Sequence, residues 1–147
     1  MLFPQKSQYA LRAVFELAKR VGQGPVKIAA IAETQKIPTR FLEVILNELK
    51  QGGFVESVRG KDGGYLMARV PETFTVGELM RFVQGPLVAV ECRGGKGKCP
   101  LYGECVFDPM WQRVNGAISG VFDGTTFQDL VEEDARLHAN VLAEYVI

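Results

Sequence analysis

Between Pro38 and the glycine pair Gly52-Gly53 the chain reads TRFLEVILNELKQ, and directly after it come two short runs, FVESV and YLMAR, joined by RGKDGG. In the first segment Phe41, Leu42, Ile45, Leu46 and Leu49 recur with the one-sided spacing of a 3.6-residue period, which predicts an amphipathic helix. Proline just ahead of a helix and glycine just behind it mark its two ends. The two runs that follow read as a β-hairpin with Arg59 and Lys61 at a glycine-rich tip. The other helix face carries Thr39, Arg40, Glu43, Val44 and Asn47. Polar side chains on a helix beside a basic hairpin tip suit a DNA major groove and the flanking backbone. The same pattern also serves an ordinary solvated helix and hairpin.

The preceding residues supply what such a reader needs. Ser7 is expected to cap a first helix running to about Arg20, with Tyr9, Ala10, Ala13, Val14, Leu17 and Ala18 on one stripe. Gly22, Gly24 and Pro25 break it. VKIAAIAETQKIP then holds a short second helix with Ile28, Ile31 and Ala32 facing inward, and Gln35 to Pro38 form the turn into the third. Helix, short helix, tight turn, helix and hairpin is the order of a winged helix-turn-helix. Charge supports the placement of the function. Residues 1–70 hold eleven Lys/Arg against six Asp/Glu, a net +5, and residues 71–147 hold six against eleven, a net −5. Only the first half therefore suits a polyanion.

Further on, Thr75 and Glu78 form a capping box that opens a helix from about Val76 to Gln84. Asp108-Pro109 opens another, with Asp108 expected at the N-cap. Its broad apolar stripe (Met110, Trp111, Val114, Ala117, Ile118, Val121, Phe122) exceeds what a chain of 147 residues has core left to cover. Gly116 and Gly120 leave room for another backbone. This helix is read as a dimerisation helix that pairs with its twin in a homodimer. Thr126 caps a final amphipathic helix. The expected architecture is mainly α with a small β-hairpin wing. It comprises a winged helix-turn-helix over residues 1–85, a cysteine loop over 86–108, and the dimerisation and C-terminal helices over 109–147.

That loop, CRGGKGKCPLYGEC, gathers all three cysteines in a C-x6-C-x5-C pattern among glycine and lysine. Clustered thiols in a loop are not core filling. Thiolate is a soft ligand suited to zinc, Cu(I) or an iron–sulfur cluster, and structural zinc favours tighter pairs than these. Cys92, Cys99 and Cys105 are therefore read as ligands of an iron–sulfur cluster, 4Fe–4S or 2Fe–2S. A cluster-free thiol redox switch or a zinc site on the same scaffold is the alternative. Three thiolates leave a fourth position open. Asp108 is the candidate there, with Glu91, Glu104, Gln8 and the lone His138 as further places to look.

An enzyme is not expected, since a thiol hydrolase or oxidoreductase needs a Cys paired with a His or a CxxC motif. No apolar run approaches the roughly 18–20 residues of a membrane span. MLFPQKSQYA lacks the apolar centre of a signal peptide, so a cytoplasmic location is expected, with no membrane partner and no small-molecule substrate.

The residues also resemble a known family, the IscR/NsrR/RirA-type winged-helix regulators of bacteria (BadM/Rrf class). SQYALRAV, FLEVILNELKQGGFVESVRGKDGGYLMAR, TVGELM and the three-cysteine loop carry the likeness over nearly the whole chain. The resemblance implies a homodimer on a palindromic double-stranded DNA operator, with one iron–sulfur cluster per subunit sensing iron, cluster supply, redox state or nitric oxide. It implies that Cys92, Cys99 and Cys105 hold the cluster, that Glu43 reads bases and that Arg59 enters the minor groove. Thr39, Arg40, Val44 and Lys61 complete the expected DNA surface. Two positions depart from the family pattern. The first cysteine gap is x6 instead of x5, and Asp108 stands where IscR-like members have histidine. The first-helix aspartate of NsrR-like members corresponds to Gln8.

Overall fold

A computed structural model of the protein describes residues 3–90, 99–101 and 103–146. Six helices and one hairpin follow in the order α1 (Gln5–Lys19), α2 (Ile28–Gln35), α3 (Thr39–Gln51), β1 (Val55–Val58), β2 (Gly64–Met67), α4 (Val76–Gln84), α5 (Asp108–Asp123) and α6 (Phe127–Val146). This is a mainly α fold with an antiparallel wing, as the sequence pattern predicts. Among the described residues no helix is long and apolar enough to cross a membrane.

Periodicity becomes packing at α1 and α3. The α1 stripe Ala10, Ala13, Val14, Leu17 and Ala18 is buried, and so are Leu42, Ile45, Leu46 and Leu49 of α3. An aromatic row extends this core toward the C-terminal helix. Phe54 stacks on Phe74 at 5.2 Å, and Phe74 meets Phe127 at 4.7 Å. Such pairs add to the burial of their area. The first turn of α6 is also stitched to the chain ahead of α4 by backbone bonds, Phe127 N–H to Phe74 O and Val76 N–H to Thr125 O. Both threonine caps form, and at Thr126 the bonding is reciprocal. Thr75 Oγ1 accepts from Glu78 N–H at 3.2 Å, while Thr126 Oγ1 accepts from Asp129 N–H and the Asp129 carboxylate accepts from Thr126 N–H.

Three local expectations are corrected. Ser7 does not cap α1. The helix already begins at Gln5, because the Pro4 carbonyl accepts from the N–H groups of Ser7 and Gln8, and Ser7 lies buried inside it. Asp108 is not an N-cap. Phe107 precedes the helix in αR conformation and its carbonyl already accepts from Trp111, so Asp108 falls in the first turn. Phe41 does not join the buried stripe of α3. One residue, about 100° of helix, separates it from Leu42, which turns it out beside Tyr9 with 47% exposure.

One charged group is buried outright. Glu16 is 1% exposed. Its carboxylate accepts from Arg20 Nε at 2.7 Å and from Gln35 Nε2 at 3.0 Å, so its charge is both paired and hydrogen-bonded. The contact ties α1 to the end of α2, just ahead of the turn into α3.

Candidate nucleic-acid interface and cysteine loop

The turn between α2 and α3 is tight for a backbone reason. Lys36 takes the left-handed conformation at φ 55°, and the next residue, Ile37, is buried, so the chain reverses within a few residues. Pro38 then starts α3. With its apolar residues committed inward, α3 leaves Thr39, Arg40, Glu43, Val44 and Asn47 all exposed on the opposite arc. These are the reader positions expected from sequence.

The wing is built to hold a fixed tip. β1 and β2 pair from Val55↔Met67 to Val58↔Gly64, so residues 59–63 form the turn with Arg59 and Lys61 exposed in it. Gly60 has φ +106°, and a Cβ on Gly63 would strike the Val58 carbonyl, so the tight turn excludes larger residues. The wing is also tied to the segment ahead of α2. Val26 and Tyr65 exchange backbone hydrogen bonds of 2.9 and 2.8 Å, and Lys27 Nζ donates to the Lys61 carbonyl. Lys27 was not expected to matter; its contact spans 34 residues and leaves no local signal.

Ion pairing separates the cations into two groups. Lys6, Lys19, Arg20, Arg69, Arg81 and Arg136 each hold a carboxylate partner. Among the described residues none of Arg12, Lys27, Lys36, Arg40, Lys50, Arg59, Lys61 or Arg113 does. Four of these eight, Arg40, Lys50, Arg59 and Lys61, belong to α3 or the wing tip. A cation without an internal partner can meet a phosphate without first breaking a pair. Lys50 was not among the expected DNA residues, although it stands three positions after Asn47 and could have been read as the same helix arc.

The cysteine loop is only partly described. Cys92 lies outside the described residues, as do Glu91, Arg93, Lys96 and Lys98. Cys99 and Cys105 are free and half-buried. Asp108 N–H donates to the Cys105 carbonyl at 3.3 Å, which places the Asp108 carboxylate one turn on, where Gln112 Nε2 donates to it at 2.8 Å. Among the described residues no three His, Cys, Asp or Glu side chains gather as a metal group. By residue type, the thiols of Cys99 and Cys105 and the carboxylate of Asp108 are donors of the kind an iron–sulfur cluster takes. Gln8 is engaged elsewhere, donating to the Phe3 carbonyl at 3.0 Å. His138 stays exposed on α6, with Nδ1 2.8 Å from the Asp134 carbonyl.

The loop is tied to α5 at both ends. Ala89 N–H donates to Asn115 Oδ1 at 2.7 Å, and the chain enters α5 at Asp108. The far end of α5 is fastened to α4. Arg81 donates twice to Asp123, at 2.6 and 2.8 Å, and a Cβ on Gly77 would collide with that carboxylate. The hydrogen bonds from Arg81 hold the Asp123 carboxyl below the usual carboxylate range. A group depressed on folding stabilises above its unfolded value of about 4 and loses that contribution as pH falls through the folded value. Asp123→Asn is therefore expected to lower Tm at pH 7, with the difference closing in acid well below the ordinary carboxylate range. Melts of both proteins at pH 7 and in acid check this.

No residue of α5 is buried. Met110, Val114, Ala117 and Val121 form an exposed apolar stripe with 4-3-4 spacing, Val121 being 66% exposed. Gly116 and Gly120 have open space where a side chain would be.

Comparison with known proteins agrees with this architecture. The sequence profile described as "Rrf2: Iron-dependent Transcriptional regulator" matches residues 3–133. The chain is 33% identical over 130 residues to the HTH-type transcriptional regulator CymR of Bacillus subtilis, covering 88% of this chain and 89% of that one. It is 33% identical over 137 residues to the HTH-type transcriptional regulator IscR of Escherichia coli, covering 93% and 84%. The solved structure of B. subtilis CymR, described as the global cysteine regulator, superposes with a TM-score of 0.75 over 89% of this chain and 96% of that one at 33% identity. An oxidized form of Staphylococcus aureus CymR does so with a TM-score of 0.71 over 90% and 97% at 30% identity.

Proposed function

The chain belongs to the Rrf2 family of winged-helix transcriptional regulators, and from that premise we propose that it acts as a homodimer on an operator of two inverted half-sites and senses iron, redox state or nitric oxide through an iron–sulfur cluster. It is a DNA-binding regulator and not an enzyme. The observation that carries the DNA assignment is the gathering of the exposed cations Arg40, Lys50, Arg59 and Lys61 on α3 and the wing, none with a carboxylate partner among the described residues. Arg59 and Arg40 supply base-edge and backbone contacts, Thr39, Glu43 and Val44 discriminate, and Lys61 and Lys50 meet phosphates. The exposed stripe of α5 supports the dimer.

Cys92, Cys99 and Cys105 would hold the cluster, with Asp108 the candidate fourth ligand. When bound, the cluster supplies a soft, redox-active centre whose loss or alteration is the signal. The chain's own part is mechanical. Asn115 grips the loop at Ala89, and Arg81 and Asp123 join α5 to α4. A change in the order of the loop thus bears on α5, and through α5 on the spacing of the two α3 helices, shifting the population that fits the operator.

A cluster-free thiol or zinc switch is the second reading. It is favoured by the likeness to the oxidized form of S. aureus CymR.

Selection of duplexes from a random pool, followed by a salt titration of the best binder, tests the DNA assignment. The expected result is a palindromic site whose log affinity falls with log salt at a slope of about −5 if the two copies make about six phosphate contacts. No enrichment, or affinity indifferent to salt, would overturn it.

A further inference from the structure

Given that α3 lies in a major groove, as proposed above, we infer that Val44 reads the 5-methyl group of thymine. Single exposed apolar side chains are common on protein surfaces and carry no meaning alone. Val44 is not alone in this sense. It is 57% exposed in the middle of the arc formed by Arg40, Glu43 and Asn47, on the helix that also carries Arg40 and Lys50. Charged and amide groups on either side would follow the polar edges of neighbouring bases, and Val44 has no polar group with which to do so.

Its surroundings shape an apolar recess. Val44, Phe41, Ile45 and Tyr9, with Gln5 and Lys6, line a groove of about 310 Å³. Phe41 is already engaged, with Tyr9 at 6.5 Å and the Arg40 guanidinium over its ring at 5.0 Å. That stacking holds Arg40 beside the groove and keeps its charge near the helix start. Val44 thus stands at the open rim, apolar behind and polar along the helix.

Thymine is the base that presents an apolar group, its methyl, in the major groove, beside the acceptor O4. Arginine suits guanine and asparagine suits adenine on the same edge. α3 rises about 1.5 Å per residue, so Arg40, Val44 and Asn47 fall within a few base steps of about 3.4 Å each. The geometry points to a half-site in which a thymine lies between the bases met by Arg40 and Asn47.

The test uses the best duplex from the random-pool selection, resynthesised with deoxyuridine replacing one symmetry-related pair of thymines at a time. Uracil keeps O4 and loses only the methyl. Affinity is read by fluorescence anisotropy at one salt concentration, for the unaltered protein and for Val44→Ser. At one thymine pair, a loss of about fourfold per half-site is expected for the unaltered protein, the equivalent of about 0.8 kcal/mol per buried methyl group. Val44→Ser should bind the thymine and uracil duplexes alike. Its salt slope should be unchanged, since no phosphate contact is altered. Uracil tolerated at every position, or equal sensitivity in Val44→Ser, overturns the thymine assignment and leaves the DNA assignment standing. Failure to select any duplex overturns both.

Discussion

Replacing Val114 by glutamate is expected to turn the proposed dimer into a monomer and to weaken operator binding by at least about a hundredfold, the scale on which tethering two modules raises affinity. The reason lies in α5, none of whose residues is buried in the protomer. Val114 sits inside the exposed stripe Met110, Val114, Ala117 and Val121, whose 4-3-4 spacing is the seam of paired helices. Two glutamates meeting across that seam would be desolvated and of like charge. The protomer itself should keep its fold, because Val114 is not one of the buried core residues. Light scattering and melting together therefore separate the outcomes. A folded monomer with the loss in affinity fits the account; a stable dimer that still binds its operator would move the interface off α5.

Arg59→Ala is expected to cost about 10- to 100-fold in operator affinity, the 1–3 kcal/mol range of a good base contact. The size of the effect rests on preorganisation. The tip follows the Val58↔Gly64 pair, excludes a side chain at Gly63, and is tied down by Lys27 and by the Val26–Tyr65 bonds. An arginine on such a tip gives up little backbone freedom when it binds. It also has no carboxylate to leave among the described residues. Lys61→Ala, by contrast, should weaken binding evenly across sequences and reduce the salt slope by about 1. Anisotropy titrations of the two variants on the same duplex check both. An unchanged affinity in Arg59→Ala would remove the wing from the interface.

What could be read from the sequence follows the range of the forces involved. α3, the wing and the caps at Thr75 and Thr126 depend on residues a few positions apart, and each stands where its local pattern puts it. Ser7, Phe41 and Asp108 were misjudged at element edges, where one residue of displacement changes a cap into an interior position or an inner face into an outer one. The places of Arg40, Arg59 and Lys61 on α3 and the wing tip were legible, but which cations hold carboxylate partners was not. Pairing is a long-range property: Lys6 meets Glu48 and Arg81 meets Asp123, each across 42 residues. For the same reason the clamp of Asn115 on Ala89 and the anchoring of the wing by Lys27 had no sequence signal. The cysteines were legible as a group by their crowding. Their mutual geometry depends on Cys92, which lies outside the described residues.

The most direct measurement is the visible absorbance of the full-length protein purified without oxygen, with iron and acid-labile sulfide assayed on the same sample. The expected result is a brown protein with iron and sulfide in matching amounts, about two or four of each per chain according to cluster type. Cys105→Ala prepared in parallel should be colourless. A colourless unaltered protein that stays colourless after anaerobic reconstitution with iron and sulfide would contradict the cluster and leave a thiol or zinc switch on the same winged-helix scaffold.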